Sequence, residues 1–275
     1  MTLALRRGRR YVALAACLLL LLLSSVASAQ FGRFRRYQLA SAKSFDGAFQ
    51  FCRVMYRGTA NGDGGDWQVD FPRADSNLMT RMSELTKTSI SRLPDGEPNH
   101  VIIRLTQPEL FKCPFIMMTE VGNIYLDEDE AKALREYLLK GGFLWADDFW
   151  GELAWSIWDS QFRKVLPTGP YPYHDLTLDH PIFRQFFTIA KFPQIPSIGM
   201  WYNLRGGTSE RGIDSREPHP RAVLDERGRI MALITHNTDF GDSFEEEATD
   251  RQYFLRFSVD GYAFGVNALI YAMSH

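Results

Sequence analysis

Apolar and aromatic side chains crowd residues 49–56 (Phe-Gln-Phe-Cys-Arg-Val-Met-Tyr), which is the composition of a buried strand. A loop follows, Asn61-Gly62-Asp63-Gly64-Gly65-Asp66, too rich in glycine for the interior of a helix or strand. Leu78, Met82 and Leu85 then recur at spacings of four and three, predicting a helix capped by Asp75 or Ser76 and running to about Ser91. Residues 101–105 and Phe115–Thr119 read as two more short apolar strands. Asp127 to Glu130 load negative charge at the start of the clearest helix, Leu134, Tyr137 and Leu138 give it an apolar stripe, and Gly141-Gly142 stops it. Residues 143–146 form a further strand with Asp147 and Asp148 at its carboxyl end. Gly151–Val165 resumes a helical pattern rich in tryptophan.

Strands and helices alternate, and the strands are apolar throughout, as in a mostly parallel sheet covered on both faces; the fold class is α/β. Beyond Pro167 the rhythm loosens. His180-Pro181 opens a short helix, long loops follow, residues 221–225 and Ile230–His236 flank a Glu-Arg-Gly-Arg turn as a β-hairpin, and residues 262–273 form a last helix.

The amino terminus reads as a secretory signal over residues 1–29: Arg6, Arg7, Arg9 and Arg10 precede an apolar run at 12–23, and Ala27-Ser28-Ala29 is a small-residue cleavage site. An uncleaved anchor helix is the alternative, but the run is shorter than the ~20 residues a bilayer requires. A twin-arginine signal is a further alternative, resting only on Arg9-Arg10 before Tyr11. Residues 30–44 read as a linker and 45–275 as a single domain. The expectation is an exported protein, periplasmic or extracellular, without stable membrane insertion once the signal is cut.

Of 275 residues, 31 are basic and 33 acidic, and the signal carries away four arginines and no acid, taking the net charge from -2 to -6. A duplex-binding protein needs a basic face, so nucleic acid is not an expected partner. Cys17 leaves with the signal. Cys52 and Cys113 remain; one bridge is possible, but Cys52 in an apolar run and Cys113 beside Pro114 read as two buried free thiols.

Several motifs carry a family resemblance: Trp67-x-x-Asp70-x-Pro72-x-Ala74-Asp75-x-Asn77, Phe111-x-x-Pro114-Phe115 with Glu120-x-Gly122, Gly141-Gly142-Phe143-Leu144-x-x-Asp147-Asp148-Phe149, and Gly265-x-Asn267-x-x-x-Tyr271. Together they resemble the bacterial family called domain of unknown function 4159. That family is similar to the class I glutamine amidotransferase-like superfamily, which implies a flavodoxin-like sandwich. In that superfamily the strand after the Gly-Gly helix end presents a nucleophile, often cysteine. Here Asp147-Asp148 stands in that place, so the resemblance implies the fold without glutaminase chemistry, which needs a thiolate and a histidine base.

In open α/β sheets ligands collect beyond the carboxyl ends of the strands. Asp147 and Asp148 stand there, either as ligand acceptors, base or nucleophile, or as caps of the helix starting near Gly151. Asp63, Asp66, Trp67, Asp70, Asp75 and Asn77 follow the first strand and could reach the same crevice. Oxygen ligands from two loops would suit Ca²⁺ or Mg²⁺, but acidic glycine-rich segments commonly serve as turns, and no metal or cofactor is assigned. Glu120 is a further ligand contact. His236, Asn237, Asp239 and Asp242 bring an imidazole, an amide and carboxylates to one loop, with His236 a candidate proton carrier, or only a loop bonded to its own backbone. Trp145, Trp150, Trp155 and Trp158 read mainly as core rather than as a sugar platform. The expected function is binding of a small molecule or protein partner at the carboxyl edge; the alternative is a hydrolase using Asp147 or Asp148 with His236.

Overall fold

The computed structural model describes residues 37–275, so the signal segment and most of the linker lie outside the described residues. Five strands form the parallel heart of the sheet: β1 (Cys52–Val54), β3 (Val101–Ile103), β4 (Phe115–Thr119), β6 (Phe143–Asp147) and β9 (Ile230–His236). Their spatial order is β3-β1-β4-β6-β9. Counting these five alone, that is the second, first, third, fourth and fifth strand, the flavodoxin-like order. Strand β8 (His219–Leu224) pairs antiparallel with β9 as the expected hairpin, and β7 (His174–Asp175) closes that edge. A separate two-stranded ribbon joins β2 (Arg57–Gly58) to β5 (Ile124–Tyr125). Leu39 bridges Ile102, so residues 39 and 40 run beside β3.

Alternation along each strand divides the core in two. Phe115, Met117, Phe143, Trp145 and Leu233 belong to one cluster with Leu78, Met82, Phe244 and Phe264, from α1 (Arg73–Thr86), α5 (Phe240–Glu245) and α6 (Val259–Ser274). Ile116, Met118, Leu144 and Ala146 alternate to the other face, where α2 (Glu128–Leu139) packs against α3 (Gly151–Val165). Between α3 and α5 the chain forms one more short helix, α4 (Ile198–Asn203). Helix α2 starts as its acids foretold: Glu130 N–H donates to Asp127 Oδ1 at 2.9 Å, and Asp127 N–H to Glu130 Oε2 at 3.1 Å. Trp145 fills the centre, its Nε1–H donating to Thr235 Oγ1 at 2.8 Å. None of the six tryptophans is exposed, which favours the core reading over a sugar platform.

Two expectations are corrected. Cys52 and Cys113 are not free thiols but a disulfide with a Cα separation of 6.1 Å. Cys52 opens β1 opposite Ile116, and Cys113 ends the turn leading into β4, so the sheet makes neighbours of residues 61 apart in sequence. Closing a loop of that length is worth about 4 kcal/mol. Helix α1, for its part, starts at Arg73 and ends at Thr86, with Pro72 at its cap position and Lys87 left-handed at its end. Asp75 cannot cap it because Arg53 holds its carboxylate.

Candidate functional site

Strand β6 ends in Asp147, and the next residue, Asp148, turns left-handed with φ 54°. That turn breaks the alternation that would send two neighbouring carboxylates to opposite faces. Glu120 after β4 (φ 54°), Asn237 after β9 (φ 63°) and Asp70 in the loop after β2 (φ 63°) share the left-handed conformation. Each such residue costs about 1–3 kcal/mol unless its surroundings hold it, and strain of this kind gathers at functional sites. Four segments distant in sequence thus meet at the carboxyl edge.

The carboxylates divide by what holds them. Asp147 is fully engaged: Thr235 Oγ1 donates to its Oδ1, and the N–H groups of Phe240 and Gly241 donate to its Oδ2 at 2.9 and 3.2 Å. It fixes the start of α5. Asp148 accepts from Trp150 Nε1 at 3.0 Å, and Asp239 Oδ1 accepts from Asp242 N–H at 2.7 Å. Asp242 Oδ2 accepts from Ile198 N–H at 2.6 Å. Asp70, 5% exposed, accepts from no N–H or hydroxyl among the described residues, and the one side chain in hydrogen-bond contact with it is the like-charged carboxyl of Asp242. Gly241 packs so closely that a Cβ there would fall 1.9 Å from Asp70 Oδ2.

One oxygen each from Asp70, Asp148 and Asp239 lies within 4.8 Å of the others, and the three side chains are buried. That spread fits three oxygens around one cation, since twice a Ca–O distance is about 4.8 Å. Burial pushes all three carboxyls well above their ordinary range, reinforced by neighbours: Asp242 on Asp70, Glu120 and Asp70 on Asp148, Asp148 and Asp70 on Asp239. Asp147 and Asp242 are both pushed up to about 7 by burial. Arg53 opposes the rise at Asp70, but its guanidinium is bound to Asp75. Glu120 closes the cluster's other side, raised to about 7 by burial while the Gly65 N–H opposes the shift. The glycine-rich loop wraps its carboxylate, a Cβ on Gly64 falling 1.9 Å from Glu120 Oε2.

The remaining candidates have other duties. Asp66 accepts from Gln68 N–H at 2.8 Å in a turn, as does Asp46 from Ala48, and Asn77 Nδ2 donates to the Phe244 carbonyl, tying α1 to α5. Trp67 is buried, with its carbonyl accepting from Arg53. The cap of α3 is not Asp147 or Asp148: Asn237 Oδ1 accepts from Gly151 N–H at 2.8 Å and Asp214 Oδ2 from Glu152 N–H at 3.1 Å. Arg53 and Asp214 were missed in the sequence. Arg53 alone left a signal, a lone cation inside the apolar run at 49–56.

His236 stands in an aromatic box rather than against a carboxylate. Phe149, Trp155 and His219 pack its ring at 4.8–5.8 Å, Nε2–H donates to the Gly151 carbonyl at 3.0 Å, and Nδ1 has no partner. Burial pulls its pKa down to about 4; Arg221 and His219 act in the same direction, and the Gly151 carbonyl and Asp214 against it. The unfolded chain therefore takes up a proton between about pH 6.5 and 4 that the folded protein refuses, and stability falls as pH drops through that window. His236 is expected to account for on the order of 3 kcal/mol of that fall. His236→Gln should flatten the pH dependence of the unfolding free energy, and an unchanged slope would refute the assignment.

Among the described residues no helix is long and apolar enough to cross a membrane. The family model described as Domain of unknown function (DUF4159) matches residues 50–273, and no curated protein matches the chain.

Proposed function

The chain belongs to this family, whose description assigns no reaction, and from its own residues we propose that it is a divalent-cation-dependent ligand-binding domain. The observation that carries this reading is Asp70, a buried carboxylate that no N–H or hydroxyl donor of the described residues reaches, set among the carboxyls of Asp148, Asp239 and Asp242. Uncompensated buried charge costs several kcal/mol, and a bound cation removes that cost. Three carboxylate oxygens without a cysteine or histidine suit a hard ion, Ca²⁺, Mg²⁺ or Mn²⁺, rather than zinc or copper.

Two of the three acids, Asp148 and Asp239, follow the carboxyl ends of the neighbouring strands β6 and β9, and such sheets receive ligands beyond the carboxyl ends of their strands. The ion's free coordination positions would take an oxygen-bearing small molecule or the acidic side chain of a protein partner. Export agrees with the arginine-led apolar segment at residues 6–23, and the flavodoxin-like strand order supports kinship with the class I glutamine amidotransferase-like superfamily. Amidotransferase activity itself is not part of the proposal, because the cysteines of the described domain are joined at the amino ends of β1 and β4. A hydrolytic version draws support from the strained turn at Asp148, which would place an ion-bound water at the sheet edge. His236 is not part of it, since its ring packs among Phe149, Trp155 and His219 rather than against the acids of the cluster.

Calorimetric titration of EDTA-stripped protein with Ca²⁺, Mg²⁺ and Mn²⁺ tests the reading. Saturable binding of at least one of them, with a rise in Tm, is expected. Silence with all three would mean that the cluster holds protons instead, as carboxylates in close contact can.

A further inference from the structure

A second trio of acids adjoins the first. Asp70, Asp242 and Glu245 also bring one oxygen each within 4.8 Å of the others. Only Asp70 belongs to both trios, and both of its oxygens are buried without an N–H or hydroxyl donor, its carboxyl meeting that of Asp242 instead. We infer that Asp70 bridges two divalent cations, one held with Asp148 and Asp239, the other with Asp242 and Glu245. This rests on the single-ion reading above and extends it to a two-ion centre, in which a shared carboxylate keeps the ions about 4 Å apart.

The surroundings differ as the two roles require. The first ion is enclosed, its three ligands being at most 5% exposed. The second lies nearer solvent: Asp242 is 8% exposed, and the Glu245 side chain is 20% exposed with Oε1 accepting from Arg73 Nε and Nη2 at 3.1 and 3.0 Å. Arg73 thereby orients Glu245 on the rim. Asp147 supports both ions indirectly by fixing the amino end of α5, the helix that carries Asp242 and Glu245. Gly241 leaves the room that the Asp70 carboxylate fills.

Mn²⁺ serves as the probe, titrated into the stripped full chain and followed by calorimetry and electron paramagnetic resonance. Two ions per chain with a spin-coupled signal are expected. Glu245→Gln, a change on the rim, should keep the first ion and weaken the second by at least 10–100-fold, the loss seen even when an outer partner of a metal site is removed. The coupled signal should then give way to that of an isolated ion. Saturation at one ion without coupling in the unaltered protein would overturn the bridge, and a coupled second ion held as tightly by Glu245→Gln as by the parent would overturn its placing at Glu245, either result leaving the single-ion reading intact. Absence of any bound ion would defeat both.

Discussion

Arg53→Met is expected to remove about 3–5 kcal/mol of unfolding free energy, a large share of the roughly 5–15 kcal/mol that holds a typical domain together. Arg53 lies in the middle of β1 and is fully buried. Its Nε–H donates to both oxygens of Asp75 at 2.9 and 3.1 Å, Nη2 makes a further bond to Oδ1, and Nη1 donates to the Trp67 and Val69 carbonyls at 3.3 and 3.2 Å. One side chain therefore joins the sheet, helix α1 and the loop that carries Asp70. Methionine fills comparable volume but strands the Asp75 carboxylate, 0% exposed, without a counter-charge. The cost is that of leaving the partner alone, so Arg53→Met with Asp75→Leu should cost less than the two single changes added together. Denaturant unfolding of the four proteins in the cycle measures this. A single-variant loss below about 1 kcal/mol would show that the pair is not the anchor argued here. The Val69 carbonyl also loses its donor in Arg53→Met, so cation affinity should drop with stability.

The periodic elements were legible because their signals are local. The acid-rich helix start at Asp127, the stop at Gly141-Gly142, the apolar strands and the hairpin ending in His236 each rest on neighbours within a few residues, and the structure contains all of them. The placing of Asp147 and Asp148 at the carboxyl end of β6 was legible for the same reason. What stayed hidden depends on contacts between distant segments. Asp70, Asp148 and Asp239 come from three separate loops, and nothing local distinguishes Asp70 from Asp66, a turn residue four positions earlier. The disulfide was hidden for the same reason: its spacing of 61 says nothing until β1 and β4 are known to be adjacent. Asp75 and Asn77 share a motif with Asp70 yet serve to hold α1 in place, one through Arg53 and one through the Phe244 carbonyl. A motif marks a region of the fold; which of its acids face a ligand is settled by which already have partners.

Asp70→Asn should separate ion binding from folding, because it alters a buried carboxylate that no N–H or hydroxyl donor of the described residues holds. In the stripped protein, burial and the Asp242 carboxylate raise the Asp70 pKa, so the folded state disfavours its charge and stability falls as pH rises through the raised value. Asparagine removes that charge at nearly constant volume, and the stripped variant should melt higher than the stripped parent at neutral pH. The order reverses when the ion is added. At a concentration about a thousand times its dissociation constant, a cation stabilises the parent by about 4 kcal/mol, roughly 10 °C for a domain of this size. A hundredfold loss of affinity in Asp70→Asn would leave about 1.4 kcal/mol of that gain. Melting curves of both proteins with EDTA and with Ca²⁺ should therefore cross, the variant higher without the ion and the parent higher with it. Asp66→Asn, altering an acid of the same loop already occupied by Gln68, should follow the parent under both conditions. Equal ion-induced shifts in parent and Asp70→Asn would remove Asp70 from the centre, and with it the reason to place a cation among these acids.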